Sequence, residues 1–310
     1  MARALLRRLG AAARARLRRA LPPALGLLPE LLGGGLPRAP DRRRAGAIRQ
    51  TGSKVSVDLL LIHGLGGSRN IWEPVIPLLE SEREVHAIDM PGFGETPPLP
   101  EGEEPTAANL ARAVHEECAR NGVERPHVAG NSLGGWVALE MGRFGWAASV
   151  TTLSPAGLWS RPLGEPNGGG ARMLLRGSPW VKAARPFLSL ALQFPQTRHA
   201  AFQSIAARPE KIPPDAARAL VLGWLDGEGY NAANRAMRNH VFDPSGYPED
   251  VPVTIAWCEK DRLLGPPKPH RRPAGSRFLV LPGVGHTPTW DDPELVARTL
   301  LDGSAVAAPA

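Results

Sequence analysis

Beyond residue 55 the chain alternates short apolar runs with longer stretches in which apolar residues recur every three or four positions, the mark of parallel βα units. Residues 55–62 and 84–89 read as strands. Residues 71–80 between them read as a helix that Pro74 and Pro77 cut into short turns. Residues 105–121 set Ala108, Ala111, Val114, Cys118 and Ala119 at helical spacing, with Gly122 where a left-handed residue would close the helix. A strand at 127–130, a helix at 133–143 and a strand at 149–153 follow, so the pattern predicts an α/β fold on a doubly wound, mostly parallel sheet.

The rhythm breaks after Pro155. Residues 157–246 hold the run Gly168-Gly169-Gly170 and helical pieces bearing Trp180, Phe187, Phe194, Phe202 and Trp224, before strands at 251–257 and 277–281 and a helix at 293–301 restore it. An insertion between strands of an open sheet commonly emerges over their carboxyl ends, where ligands bind. Residues 157–246 are therefore expected to be a helical cap on a core of residues 51–156 and 247–310. The aromatic residues also have a plainer role open to them, which is to hold the insertion together.

Charge separates the first 50 residues from the rest. They carry 12 Arg against Glu30 and Asp41, a local charge of +10, while the other 260 residues carry 25 basic against 28 acidic side chains, or −3. A slightly acidic body with one basic tail is not a nucleic-acid-binding surface, so no nucleic-acid partner is expected. On a helical wheel Leu5, Leu6, Leu9, Ala13, Leu17 and Leu21 share one side and Arg3, Arg7, Arg8, Arg14, Arg18 and Arg19 the other, with Arg16 out of place. Residues 1–50 read either as a disordered Ala/Arg-rich leader or as a basic amphipathic segment able to lie on an anionic membrane surface. The apolar window at 21–36 is interrupted by Pro22, Pro23, Pro29 and Glu30, which excludes it as a spanning helix. Cys118 and Cys258 stand 140 positions apart with no CxxC, so neither a disulfide framework nor a structural metal is suggested and the expected location is cytoplasmic. Nothing in the pattern specifies an oligomeric state.

The chemistry concentrates in four places. Gly130-Asn131-Ser132-Leu133-Gly134 is a G-x-S-x-G between a predicted strand and a predicted helix, the setting in which a serine is held at the tip of a sharp, strained turn. Glycines on either side admit the close approach of strand and helix there, and the helix start aims backbone N–H groups at the place where an oxyanion would form. A serine needs a base, and His286 in Gly283-Val284-Gly285-His286-Thr287-Pro288 sits on a Gly-rich loop just after the last predicted strand. Asp261, just beyond the strand at 251–257, is the candidate carboxylate, with Glu259 its competitor; the order Ser132, Asp261, His286 is that of one hydrolase architecture. Leu61-Ile62-His63-Gly64-Leu65-Gly66-Gly67-Ser68 follows the first core strand, and Leu65 N–H with Leu133 N–H form the candidate oxyanion hole. His63 is read as a turn-stabilising residue, and Asp89 as support for the turn at residues 90–94. The loop lacks the spacings of a phosphate-binding loop.

Together, His63-Gly64-Leu65-Gly66-Gly67, Asp89-Met90-Pro91-Gly92-Phe93-Gly94, Gly130-Asn131-Ser132-Leu133-Gly134-Gly135, Asp261 and Gly285-His286 resemble the α/β-hydrolase superfamily over residues 55–302. The resemblance implies an eight-stranded, mostly parallel sheet flanked by helices, an inserted helical cap, a Ser-Asp-His triad and no cofactor. Asn131 and the His-Gly-x-Gly-Gly loop are similar to the microbial esterase and carbon–carbon bond hydrolase branch. Haloalkane dehalogenases and epoxide hydrolases resemble the layout too, but carry aspartate at the elbow where this chain has Ser132. Two departures stand out. Residues 45–55 leave little room for the two strands that usually precede the oxyanion-loop strand, and Gly67-Ser68 and Thr287-Pro288 replace the Gly-Pro-Gly and the post-histidine tryptophan of carbon–carbon hydrolases. The expected activity is hydrolysis of a hydrophobic or aromatic small-molecule carboxylic ester through an acyl-enzyme. Cleavage of a vinylogous diketone is the alternative chemistry, and a catalytically silent binding protein the alternative from another class.

Overall fold

In β1 (Asp58–Ile62) Leu59 and Leu61 enter one apolar cluster while Leu60 and Ile62 enter another, so a continuous apolar run is buried on both faces. The computed structural model describes residues 58–164 and 179–305. The basic extension, the start of the first predicted strand and the triple-glycine run lie outside those residues. Around β1 the described chain builds one parallel sheet from β2 (Glu84–Ile88), β3 (His127–Asn131), β4 (Ser149–Leu153), β5 (Val253–Cys258) and β6 (Arg277–Leu281), in the order β2-β1-β3-β4-β5-β6. The eight strands expected are thus corrected to six among the described residues. Residues 45–55, where the resemblance would put the other two strands, lie outside the described residues.

Two helices on one face shape the site. In α1 (Ala107–Arg120) the apolar stripe Ala107, Leu110, Ala111, Val114 and Cys118 is buried. Thr106 opens the helix by accepting Asn109 N–H at 3.2 Å, and Gly122 ends it at φ +73°. In α2 (Leu133–Arg143) every residue from Leu133 to Gly142 is buried, consistent with an apolar run that shows no polar face. The predicted helix at 71–80 becomes a 3-10 turn at Arg69–Trp72 and a single helical turn at Ile76–Leu79, as its prolines require.

Between β4 and β5 the described chain is helical: α3 (Pro179–Ala191), α4 (Pro195–Phe202), α5 (Pro214–Asp226) and α6 (Tyr230–Asn239). Leu192, Phe202, Ala206, Ile212 and Ala217 make a small separate apolar cluster, against which Trp290 packs. Of the insertion's aromatic residues Phe202 serves that cluster, whereas Phe187 and Phe194 are exposed at 68% and 56%. Finally α7 (Pro293–Ala305) covers the other face of the sheet through Val296, Ala297 and Leu300. Among the described residues no helix is long and apolar enough to cross a membrane.

Candidate active site

The chain runs from β1 to β2 on one side, then crosses to β3 on the other side of β1. Such a reversal opens a crevice at the carboxyl ends of the strands, and the loop after β1 and the turn after β3 both lie there. Ser132, between β3 and α2, has φ +56° and ψ −118°. A non-glycine residue in that region stores strain of order 1–3 kcal/mol, which only a strongly determined surrounding sustains. Here Ser132 N–H donates to Leu153 O at 3.0 Å, and its carbonyl accepts from Ala156 N–H at 2.9 Å and Trp136 N–H at 3.1 Å. The flanking glycines are forced by contact: a Cβ on Gly130 would collide with the backbone of Gly134 and Gly135, and one on Gly134 with the carbonyls of Ile62 and His63. The elbow and the loop after β1 therefore touch through bare backbone.

That loop is set by its own hydrogen bonds. Gly67 N–H donates to Gly64 O at 3.0 Å, closing a turn with Leu65 at its corner. A Cβ on Gly64 would lie 3.0 Å from Ser132 Cβ, so the turn packs directly on the nucleophile candidate. Leu133, as the first residue of α2, has an N–H with no intrahelical acceptor. His63 sits beneath the turn, fully buried, with Nδ1 2.7 Å from Gly64 O and Nε2 accepting Met90 N–H at 3.1 Å. Burial pushes its pKa below 6.5, against the pull of Asp89 and the Gly64 carbonyl. A neutral imidazole with the proton on Nδ1 satisfies both bonds, the turn-stabilising part expected of it. Asp89 in turn accepts the N–H groups of Arg69 at 2.7 Å and Glu95 at 3.2 Å.

On the far side of the crevice His286 Nδ1 lies 2.6 Å from Asp261 Oδ2, with the imidazole 5% and the carboxylate 1% exposed. Burial pushes the Asp261 carboxyl up, but the His286 bond and charge and the N–H groups of Leu264 and Leu263 outweigh it and hold it below the ordinary carboxylate value. The Leu263 and Leu264 bonds reach Oδ1 at 2.8 and 2.9 Å, leaving Oδ2 to the histidine. Glu259 faces elsewhere, its carboxylate accepting Gly283 N–H at 2.7 Å. The structure thus brings Asp261, and not Glu259, to His286. No hydrogen bond joins Ser132 to His286 among the described residues, and catalytic hydrogen bonds commonly tighten only once substrate is bound. The two are linked instead through Asn131, whose Nδ2 donates to His286 O at 2.7 Å and Leu153 O at 3.0 Å.

Two residues escaped the reading of the sequence as parts of the site. Asn131 was visible only as the residue before the serine. Asp291, fully buried, accepts N–H groups from Gly285 and Arg208 at 2.7 Å and from Ala207 at 2.9 Å. Its neighbour Asp292, which accepts Leu295 N–H at 2.9 Å, is the cap of α7. A separate cluster, Asp58, Glu84 and His86, lies at the opposite, amino ends of β1 and β2 with ligand-capable atoms within 4.8 Å of one another. His86 Nε2 pairs with Asp58 at 2.7 Å, and its buried Nδ1 has no partner among the described residues. A metal-bound imidazole places its second N–H on an acceptor, so this cluster reads as a His86–Asp58 hydrogen bond at the sheet edge.

Comparison with known proteins agrees with this architecture. The profile of the alpha/beta hydrolase family matches residues 59–299, and the chain belongs to that family. It is 32% identical over 206 residues to the epoxide hydrolase EphH of Mycobacterium tuberculosis, covering 63% of this chain and 93% of that protein. It is 30% identical over 261 residues to RutD of Shigella flexneri, provisionally named a carbamate hydrolase, covering 80% of this chain and 91% of that one. In fold it is similar to the enol-lactonase of Burkholderia xenovorans LB400, with a TM-score of 0.64 at 18% identity over 84% of this chain and 96% of the other. The protein is a hydrolase of this family.

Proposed function

We propose that this hydrolase uses Ser132 as nucleophile, His286 as general base and Asp261 as the carboxylate that orients it, and that it cleaves a carboxylic ester through an acyl-enzyme. The observation that carries the reading is a strained serine at a helix start, tethered through Asn131 to the backbone of a histidine whose other ring nitrogen is committed to a buried carboxylate. Asp261 fixes the proton on Nδ1, which leaves Nε2 bare to accept one. Ser132 Oγ attacks the carbonyl carbon as its proton passes to His286 Nε2. The tetrahedral oxyanion takes hydrogen bonds from Leu65 and Leu133 N–H, and the imidazolium returns the proton to the departing alkoxide. Water, deprotonated by the same nitrogen, then releases the acid. Removing one oxyanion donor in such a site costs about 3 kcal/mol of barrier.

Residues 157–246 serve in this reading as a cap over the crevice. Trp224 and Tyr230, whose rings meet edge to face at 6.4 Å, would lie within about 3 Å of a Cβ on Gly66, in the loop that holds Leu65. Aromatic surface beside the oxyanion loop favours a hydrophobic or aromatic acyl or alcohol group. The basic extension is proposed as an accessory to a cytoplasmic enzyme rather than part of its chemistry. An epoxide hydrolase reading inherited from EphH is disfavoured by Ser132, since the epoxide-opening members of the superfamily place aspartate at that position. The provisional name of RutD favours adding carbamates to the substrates tried, because the same attack on a carbonyl carbon cleaves them. The test is a panel of p-nitrophenyl esters of increasing acyl length, alongside carbamates and a dienoate ring-fission product. Ester turnover that Ser132→Ala abolishes supports the proposal, and turnover unchanged in Ser132→Ala overturns it.

A further inference from the structure

We propose that Asp291 is a positioning residue, and that its buried carboxylate clamps the His286 loop to the segment 203–208 of the insertion so that the two move as one unit. The inference rests on the reading of His286 as general base and extends it to how that base is held. Asp291 Oδ2 is shared by Gly285 N–H at 2.7 Å and Ala207 N–H at 2.9 Å, one from each side of the joint, while Oδ1 takes Arg208 N–H at 2.7 Å. Its backbone carbonyl accepts from Lys211 Nζ at 2.9 Å and Arg208 at 3.3 Å. A carboxylate with no solvent exposure has no water to replace these donors, so the bonds hold together or fail together.

The joint continues past Asp291. Thr287, the neighbour of His286, donates its N–H to Ile205 O at 2.8 Å, and Arg262, the neighbour of Asp261, donates to Gln203 O at 2.8 Å. The loops carrying base and acid are thus both fastened to the same short segment of the insertion. Close approach is built in: a Cβ on Gly285 would lie 2.7 Å from Ala207 N. A helix cap alone would need none of this, and Asp292 already supplies that function. Movement of segment 203–208 would therefore shift the imidazole, and displacement of a catalytic group by about 1 Å costs on the order of 100-fold in rate.

The test is Asp291→Asn, which keeps the size of the side chain but sets an amide NH2 against at least one backbone donor. Two readouts are taken on folded protein: hydrogen exchange of the backbone in 203–208 and 283–287, and the kcat against KM split for an ester. The expected result is faster exchange in both segments together, with kcat reduced about 100-fold and KM little changed. Unchanged exchange, or faster exchange in only one segment, overturns the clamp. Faster exchange in both with wild-type kcat overturns the positioning role and leaves the serine hydrolase reading intact. If the wild-type enzyme turns over no ester and Ser132 resists acylation, it is the serine ester-hydrolase reading that fails, and the exchange data still decide the clamp. Should Asp291→Asn not fold, Lys211→Met loosens the same joint from its exposed end, and a rise in exchange confined to 203–208 then overturns the coupling.

Discussion

Replacing Asp261 with asparagine changes little in shape, and the geometry decides which way the new amide turns. Oδ1 holds two backbone N–H groups, at 2.8 and 2.9 Å, whereas Oδ2 faces His286 alone at 2.6 Å. Turning NH2 towards Leu263 and Leu264 would set donor against donor twice, at about 1 kcal/mol or more for each bond lost. Turned towards the imidazole, the amide keeps both backbone bonds and donates to Nδ1. The histidine must then carry its proton on Nε2, the nitrogen that should accept one from Ser132. A base held in the wrong tautomer costs about 10⁴-fold in kcat, roughly 5 kcal/mol of barrier at 1.36 kcal/mol for each factor of ten. Steady-state hydrolysis of p-nitrophenyl acetate, with urea denaturation to establish that the variant is folded, measures the effect. A folded Asp261→Asn within about tenfold of the wild-type kcat would refute the reasoning. Glu259→Gln, whose carboxylate is occupied with Gly283 N–H, is the internal control and should keep most of kcat.

Other expectations follow from the same contacts. Gly134→Ala should lose at least about 1–3 kcal/mol in urea denaturation, because the added methyl meets the carbonyls of Ile62 and His63 rather than a yielding side chain. Wild-type stability in that variant would mean that β1 and α2 do not approach as described. Burial holds the His63 pKa below 6.5, so its neutral form supports folding fully above 6.5, and that support erodes as the pH falls towards the lowered folded value. The stability of His63→Asn should therefore depend less on pH than that of wild type on the acid side of 6.5, and equal slopes in chemical denaturation would contradict this. Asn131→Ala should lower kcat more than it raises KM, since Asn131 holds the backbone of His286 and is not placed to bind substrate; a pure KM effect would count against that role.

Much of this arrangement was legible before any coordinates. Helix 133–143 and strands 149–153 and 277–281 carry their patterns without interruption, and the structure places them at those limits. The region 71–80 shows the reason for a looser match. Its apolar spacing is helical, but Pro74 and Pro77 remove the N–H groups that a continuous helix needs, leaving a 3-10 turn and one helical turn. Ser132, Asp261 and His286 stood out because each follows a strand, and in a parallel sheet every strand delivers its following loop to the same rim. That rule also presented Glu259 and Asp261 as rivals, because it says which rim a residue reaches and not which way its side chain faces. Asp291 was invisible for a different reason. Its partners are backbone N–H groups of Ala207 and Arg208, far away in the chain, and backbone donors leave no trace in residue type.

The most direct measurement is peptide mapping by mass spectrometry after brief exposure to a fluorophosphonate, on wild type and on folded His286→Ala. The account requires the adduct on Ser132 of the wild type, and its rate of formation to collapse when the imidazole is removed. An adduct on another residue, or modification of Ser132 at an undiminished rate without His286, would contradict it.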